Sequence, residues 1–207
     1  MKVETKAVLD SAVEVASQTG DFIVDSLCDN EVIQNIPVVG TFISLYKFGK
    51  SISDSIFLYK LRKFIDDLDS VTDSWKERFS DEKECRKIAQ EVVFVINSIV
   101  DERKIKYYSK IFCKYVNDEI SKDDLYISFD ILHKSNYNLL KQIIYFDTKS
   151  EYDFMNLSDE LRFSYYHFIS LGLMEETPGL MEFGNRYRLN IFGVFFKSLF
   201  EVFPEEN

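Results

Sequence analysis

The chain has 207 residues, 46% of them apolar, enough to fill one large core or two small ones. Its formal charge of −10 repels nucleic-acid phosphates and anionic lipid unless a local basic face overcomes it. Nineteen Phe and twelve Tyr stand against only seven Gly and three Pro, which leaves few turn-makers and points to long helices rather than a many-stranded sheet. Cys28, Cys85 and Cys113 are far apart and odd in number, and acids occupy the N-terminus where a signal peptide is apolar. Reduced thiols and a cytoplasmic protein, with peripheral attachment at the inner membrane left open, are the expectation.

In chain order, Val8, Leu9, Ala12, Val13 and Ala16, then Phe22, Ile23 and Leu27, recur at helical spacing, with a break at Gly20. Pro37 favours a helix start, and the helix after it holds Val38, Val39, Phe42, Ile43, Tyr46 and Phe48. This apolar run is about half of the roughly 20 residues that span a bilayer. A third helix, Ser51 to Leu68, is expected to turn Ile52, Ile56, Phe57, Tyr59, Leu61, Phe64, Ile65 and Leu68 inward. Lys60, Arg62, Lys63, Asp66 and Asp67 then face water. Ser80-Asp81-Glu82-Lys83 offers an N-cap to a helix whose apolar centre, Ile88, Val92, Val93, Phe94, Val95, Ile96 and Ile99, reads as core. Another amphipathic helix follows from Arg103 to Asn117.

From Ser121 the helices shorten. Ser121 caps one through Leu125, Ile127, Phe129, Ile131 and Leu132, and Asn136 caps a second through Leu139, Leu140, Ile143 and Ile144. After a polar connection, Leu157-Ser158-Asp159-Glu160 opens a third that ends at Gly172. Leu173 onward, a turn at Thr177-Pro178-Gly179 and Tyr187-Arg188-Leu189 make two short strands, and a terminal helix runs from Asn190 to Phe203. Three short helices and a two-stranded wing are the winged variant of the helix-turn-helix. The predicted fold is mainly α: an N-terminal helical bundle over 1–118 and a winged-helix-like domain over 119–207. No Gly/Ser- or Pro-rich linker separates the two, so they are expected to pack together.

The winged helix raises the question of DNA. Its third helix and wing offer Arg162, Arg186 and Arg188 as contacts, yet from Ser121 onward eight Lys or Arg face fourteen Asp or Glu. That excess opposes phosphate neutralisation and favours a protein-contact or structural role. A second candidate is the stripe Arg103, Lys106, Lys110 and Lys114 beside Tyr107, whose spacing fits one helix face able to hold an anionic partner. A solvated face bracketed by Asp101, Glu102, Asp118 and Glu119 explains it as well. A third is the segment with Val38, Val39, Phe42, Ile43 and Tyr46, whose small residues and neighbouring lysines suit a membrane or partner contact, and equally an ordinary core helix.

No constellation supplies catalysis. Gly49-Lys50-Ser51 resembles the end of a phosphate-binding loop, but Ser44 stands where its first glycine belongs, and Leu45, Tyr46 and Phe48 fill the space a phosphate needs. His133 and His167 lie far apart without a cysteine or acid at ligand spacing, so neither metal nor cofactor is expected. Asp66-Asp67-Leu68-Asp69 and Asp123-Asp124 read as caps and solvated faces, and the cysteines as structural thiols.

Ile36-Pro37-Val38-Val39-Gly40-Thr41, Ser53-Asp54-Ser55-Ile56-Phe57-Leu58, the Lys104 to Asp118 helix leading into Glu119-Ile120-Ser121, Leu171-Gly172-Leu173 and Tyr187-Arg188-Leu189 together carry a resemblance. In these the chain resembles a group of bacterial helical proteins without an assigned activity, and its architecture is similar to the abortive-infection alpha proteins of phage defence. The resemblance implies a bacterial, defence-linked setting and carries over no catalytic residue. The function expected is a non-enzymatic interaction or effector protein that engages a protein partner, a second copy of itself or a membrane. The alternative is a winged-helix transcriptional regulator on DNA.

Overall fold

The computed structural model describes residues 55–68, 81–177 and 186–202. The helices expected before Phe48, and with them Val38, Val39, Phe42, Ile43 and Tyr46, lie outside these residues. Within them the protein is mainly helical, with one small two-stranded antiparallel sheet near the C-terminus. The chain divides into two compact units, Met1–Leu125 and Tyr126–Asn207.

In the first unit, α1 (Ser55–Asp66) packs against α2 (Glu82–Ser98) and α3 (Ile105–Val116). The buried stripe of α1 and its end is Phe57, Lys60, Leu61, Phe64, Ile65 and Leu68, which keeps to helical spacing. That phase corrects the sequence reading at three places: Ile56 and Tyr59 are exposed, and Lys60 is buried. The Lys60 ammonium donates to the carbonyl of Ile99 at 2.5 Å, at the C-terminal end of α2, where the helix dipole favours a cation. The Ser109 hydroxyl of α3, fully buried, reaches the Phe64 carbonyl at 2.9 Å and its own Ile105 carbonyl at 3.1 Å. Phe64 and Phe112 pack at 5.7 Å between ring centres.

Asp81 caps α2, its carboxylate accepting from the amides of Lys83 and Glu84. The apolar centre of α2 is only partly core. Ile88, Ala89, Val92, Ile96 and Ile99 are buried, whereas Phe94 is 75% exposed. Five consecutive apolar residues span more than a full turn, so a helix with one buried face must turn some of them outward.

A short 3₁₀ turn, Glu102–Lys104, leads into α3, which ends with Asp118 at φ 63°. Glu119 N–H bonds the Lys114 carbonyl and Asp118 N–H the Tyr115 carbonyl, the paired bonds of a Schellman turn. An aspartate here bears both the left-handed backbone cost and a negative charge at the negative end of α3. Asp118→Gly is therefore expected to stabilise the protein by about 1 kcal/mol. A urea midpoint that falls instead would mean that contacts of the Asp118 carboxylate outweigh both costs.

α4 (Lys122–Lys134) contains the division between the units. It opens on a reciprocal cap: Asp124 N–H donates to Ser121 Oγ, and Ser121 N–H to Asp124 Oδ2. In the second unit, Asn136 Oδ1 caps α5 (Tyr137–Leu140), which passes into a 3₁₀ segment, Lys141–Tyr145. A 3₁₀ turn at Phe154–Asn156, then α6 (Asp159–Ser170), β1 (Met174–Thr177), β2 (Arg186–Leu189) and α7 (Ile191–Val202) complete the chain.

Gly172, at φ 70°, closes α6 in a second Schellman turn, with Leu173 N–H on the Phe168 carbonyl and Gly172 N–H on the Ile169 carbonyl. The strands then pair Met174 with Leu189, Glu175 with Arg188, Glu176 with Tyr187 and Thr177 with Arg186. Asn190 ties the base of this hairpin to α7. Its Oδ1 accepts from Gly193 N–H at 3.0 Å, its Nδ2 donates to the Gly172 carbonyl at 2.7 Å, and its own N–H bonds the Leu173 carbonyl.

Candidate functional site

The wing is joined by a strand fragment that sequence periodicity does not announce. Tyr152 forms an isolated antiparallel bridge with Tyr187, their N–H and C=O groups exchanging bonds of 2.7 and 3.0 Å. Residues 146–158 thus carry a sheet contact and a 3₁₀ turn between the helical segment ending at Tyr145 and α6. The tight turn of a helix-turn-helix joins its helices in three or four residues, and the link here is longer.

Behind α6 lies an aromatic core. Phe146 meets Phe168 edge-on at 5.2 Å and Tyr152 at 4.8 Å, and Tyr165 meets Tyr187 at 5.9 Å. Burial, reinforced by Tyr187, Asp153 and Tyr166, pushes the Tyr165 phenol up to about 12, and its hydroxyl donates to the Tyr152 carbonyl at 3.3 Å. The Ser164 hydroxyl donates to Gln142 Oε1. His167 accepts from Asn136 N–H through Nε2 at 3.0 Å, so this histidine supports the start of α5.

The three arginines nominated for the wing all meet carboxylates. Arg162 Nη1 donates to Asp159 Oδ1 at 2.6 Å, its Nε to the Phe154 carbonyl at 3.3 Å, and its guanidinium lies 5.0 Å from the Phe154 ring centre. Arg188 pairs with Glu175 across the strands at 2.8 Å, and Arg186 with Glu151 at 3.6 Å. Exposed pairs of this kind add little stability, but they neutralise the charge that a phosphate would need.

The basic stripe of the first unit divides. Arg103 lies in the 3₁₀ turn ahead of α3 and bonds both oxygens of Asp101 at 2.9 and 2.8 Å, holding that carboxyl below the usual range. Lys114 pairs with Glu119 at 2.7 Å. Lys106 sits 5.1 Å from the Tyr107 ring centre, and Tyr107 itself is buried, at 1% exposure, so it belongs to the core of the unit. Lys106 and Lys110 are half-buried on α3. Bracketing acids thus take up the two ends of the stripe.

Elsewhere in the first unit, an open pocket of about 590 Å³ is lined by Glu84, Tyr115, Asp118, Glu119, Lys122 and Asp124, among others. Lys122 bonds Glu84 there at 2.8 Å, which raises the lysine above its ordinary range. Cys85 and Cys113 are buried thiols outside any disulfide. Among the described residues no cluster of three or more His, Cys, Asp or Glu is arranged to hold a metal, and no helix is long and apolar enough to cross a membrane.

What sequence reading did not single out is the outer face of α6. Phe163 is 74% and Tyr166 56% exposed, while Ser164, Tyr165 and Phe168 face inward. Helical spacing places residues 163 and 166 on the side opposite 165 and 168, but with aromatic residues on both sides it does not tell which side is buried. Comparison with protein-family models, with curated proteins and with solved structures finds no match to this chain.

Proposed function

We propose that this chain is a protein-docking module without an enzymatic centre, and that its winged-helix-like unit engages a protein surface rather than the bases of DNA. The observation that carries the reading is the division of labour on α6 and the wing. Arg162, Arg186 and Arg188 are held by Asp159, Glu151 and Glu175, while Phe163 and Tyr166 point to solvent. A DNA reader of this fold needs the reverse, with cations turned to phosphate and polar side chains to base edges. Exposed aromatic side chains are the usual anchors of protein interfaces. The bacterial, phage-defence setting belongs to this proposal on the resemblance alone, and the segment from Val38 to Tyr46 on its composition alone, as a membrane- or partner-contacting element.

The two-stranded wing is the observation that favours the second reading, a regulator on DNA. Fluorescence anisotropy with short duplexes at low salt, including the region upstream of its own gene, separates the two. The expected result is no saturable binding and no effect of Arg186→Ala with Arg188→Ala. Saturable duplex binding that the paired substitution abolishes would overturn the proposal.

A further inference from the structure

α6 turns one line of side chains outward. At 100° per residue, Asp159, Phe163, Tyr166 and Ser170 fall within about 60° of one another, and all four are exposed. The line is widened by the turn before it: the Phe154 ring packs 5.0 Å from that of Tyr166, and Met155, next in sequence, is 74% exposed. The result is a ridge of large apolar groups on a helix whose other side is anchored in a core.

Its charge is uneven. Asp159 and Glu160 occupy the first turn of α6 and Asp153 precedes the Phe154 turn; Arg162, bonded to Asp159, offsets one of these three acids and leaves an excess of two at this end. An exposed apolar patch of Phe163, Tyr166 and Met155 with an excess of acids at one end complements an amphipathic helix whose apolar residues recur at three and four positions and are flanked by cations. We infer that this face receives a basic amphipathic helix of a partner protein, its cations over the first turn of α6 and its apolar stripe against Phe163, Tyr166 and Met155. The inference rests on the protein-docking reading and adds the chemistry of the partner.

The test uses the full chain and two fluorescein-labelled peptides of identical apolar pattern, one of leucine and lysine and one of leucine and glutamate. Anisotropy should show saturable binding of the leucine–lysine helix, with the glutamate peptide weaker by at least about tenfold. Phe163→Ala should weaken the lysine peptide by about tenfold or more while the urea midpoint stays put. Asp159→Asn with Glu160→Gln should weaken it and flatten its salt dependence, whereas Asp130→Asn with Glu201→Gln, which removes the same charge elsewhere on the unit, should leave it unchanged. Equal binding of both peptides, lost in Phe163→Ala, would overturn the basic partner but leave the docking reading standing. Binding that ignores Phe163, or no binding of either peptide, overturns the inference. Duplex binding lost on removing Arg186 and Arg188 overturns the reading beneath it.

Discussion

Gly193→Ala is expected to destabilise the protein by about 3 kcal/mol, lowering its melting temperature by about 6–12 °C. A methyl group at this position would stand 2.2 Å from the Leu173 carbonyl oxygen and 3.0 Å from Leu189 Cδ2. The leucine side chain can give way; the carbonyl cannot move freely, because it accepts the Asn190 N–H at 3.1 Å at the point where the wing enters α7. Alanine's better helix propensity offsets only about 1 kcal/mol of this. Thermal melts of the two proteins would decide the matter, and an unchanged midpoint would mean that α7 does not approach β1 this closely in solution.

Phe168→Ala should cost about 3–5 kcal/mol, because it empties the centre of the second unit. Phe168 is fully buried and edge-on to Phe146, itself fully buried, and its backbone carbonyl holds the Schellman turn at Gly172. Five residues earlier on the same helix, Phe163→Ala should change stability by no more than about 0.5 kcal/mol. Urea unfolding of the two variants side by side therefore tests which face of α6 is core. Equal losses would show that Phe163 is packed, and would remove the surface on which the proposed docking depends.

Much of the secondary structure was legible because its signals are local. Asn136, Ser121 and Gly172 act where short-range chemistry places them, through an amide or hydroxyl oxygen at an N-terminus and a left-handed glycine at a C-terminus. The two strands of the wing followed from the residues on either side of Thr177-Pro178-Gly179, and both are present.

What was illegible depends on tertiary partners. Lys60 reads as a surface residue until α2 brings the Ile99 carbonyl to its ammonium, and nothing near Lys60 in sequence announces that acceptor. Ile56, Tyr59 and Phe94 were assigned inward because apolar character alone does not fix the phase of a helix whose neighbours are unknown. Tyr152 joins the sheet through a single bridge, too short to show alternation. The candidate site shows the same limit in sharper form. Arg162, Arg186 and Arg188 were visible as cations, but only the fold reveals the carboxylates that hold them, and only the fold sorts Phe163 and Tyr166 from Tyr165 and Phe168.

The amide of Asn190 joins three segments that are otherwise separate in sequence: the end of α6 through the Gly172 carbonyl, the base of the wing through its own backbone, and the first turn of α7 through Gly193. Because all three bonds run through one residue, a movement of Asn190 that frees one segment is expected to loosen the other two. The wing base is therefore expected to open together with the ends of both helices, which hydrogen exchange would show as matched protection of the Leu173, Asn190 and Gly193 amides. A partner seated on α6 would therefore protect the wing from exchange without touching it.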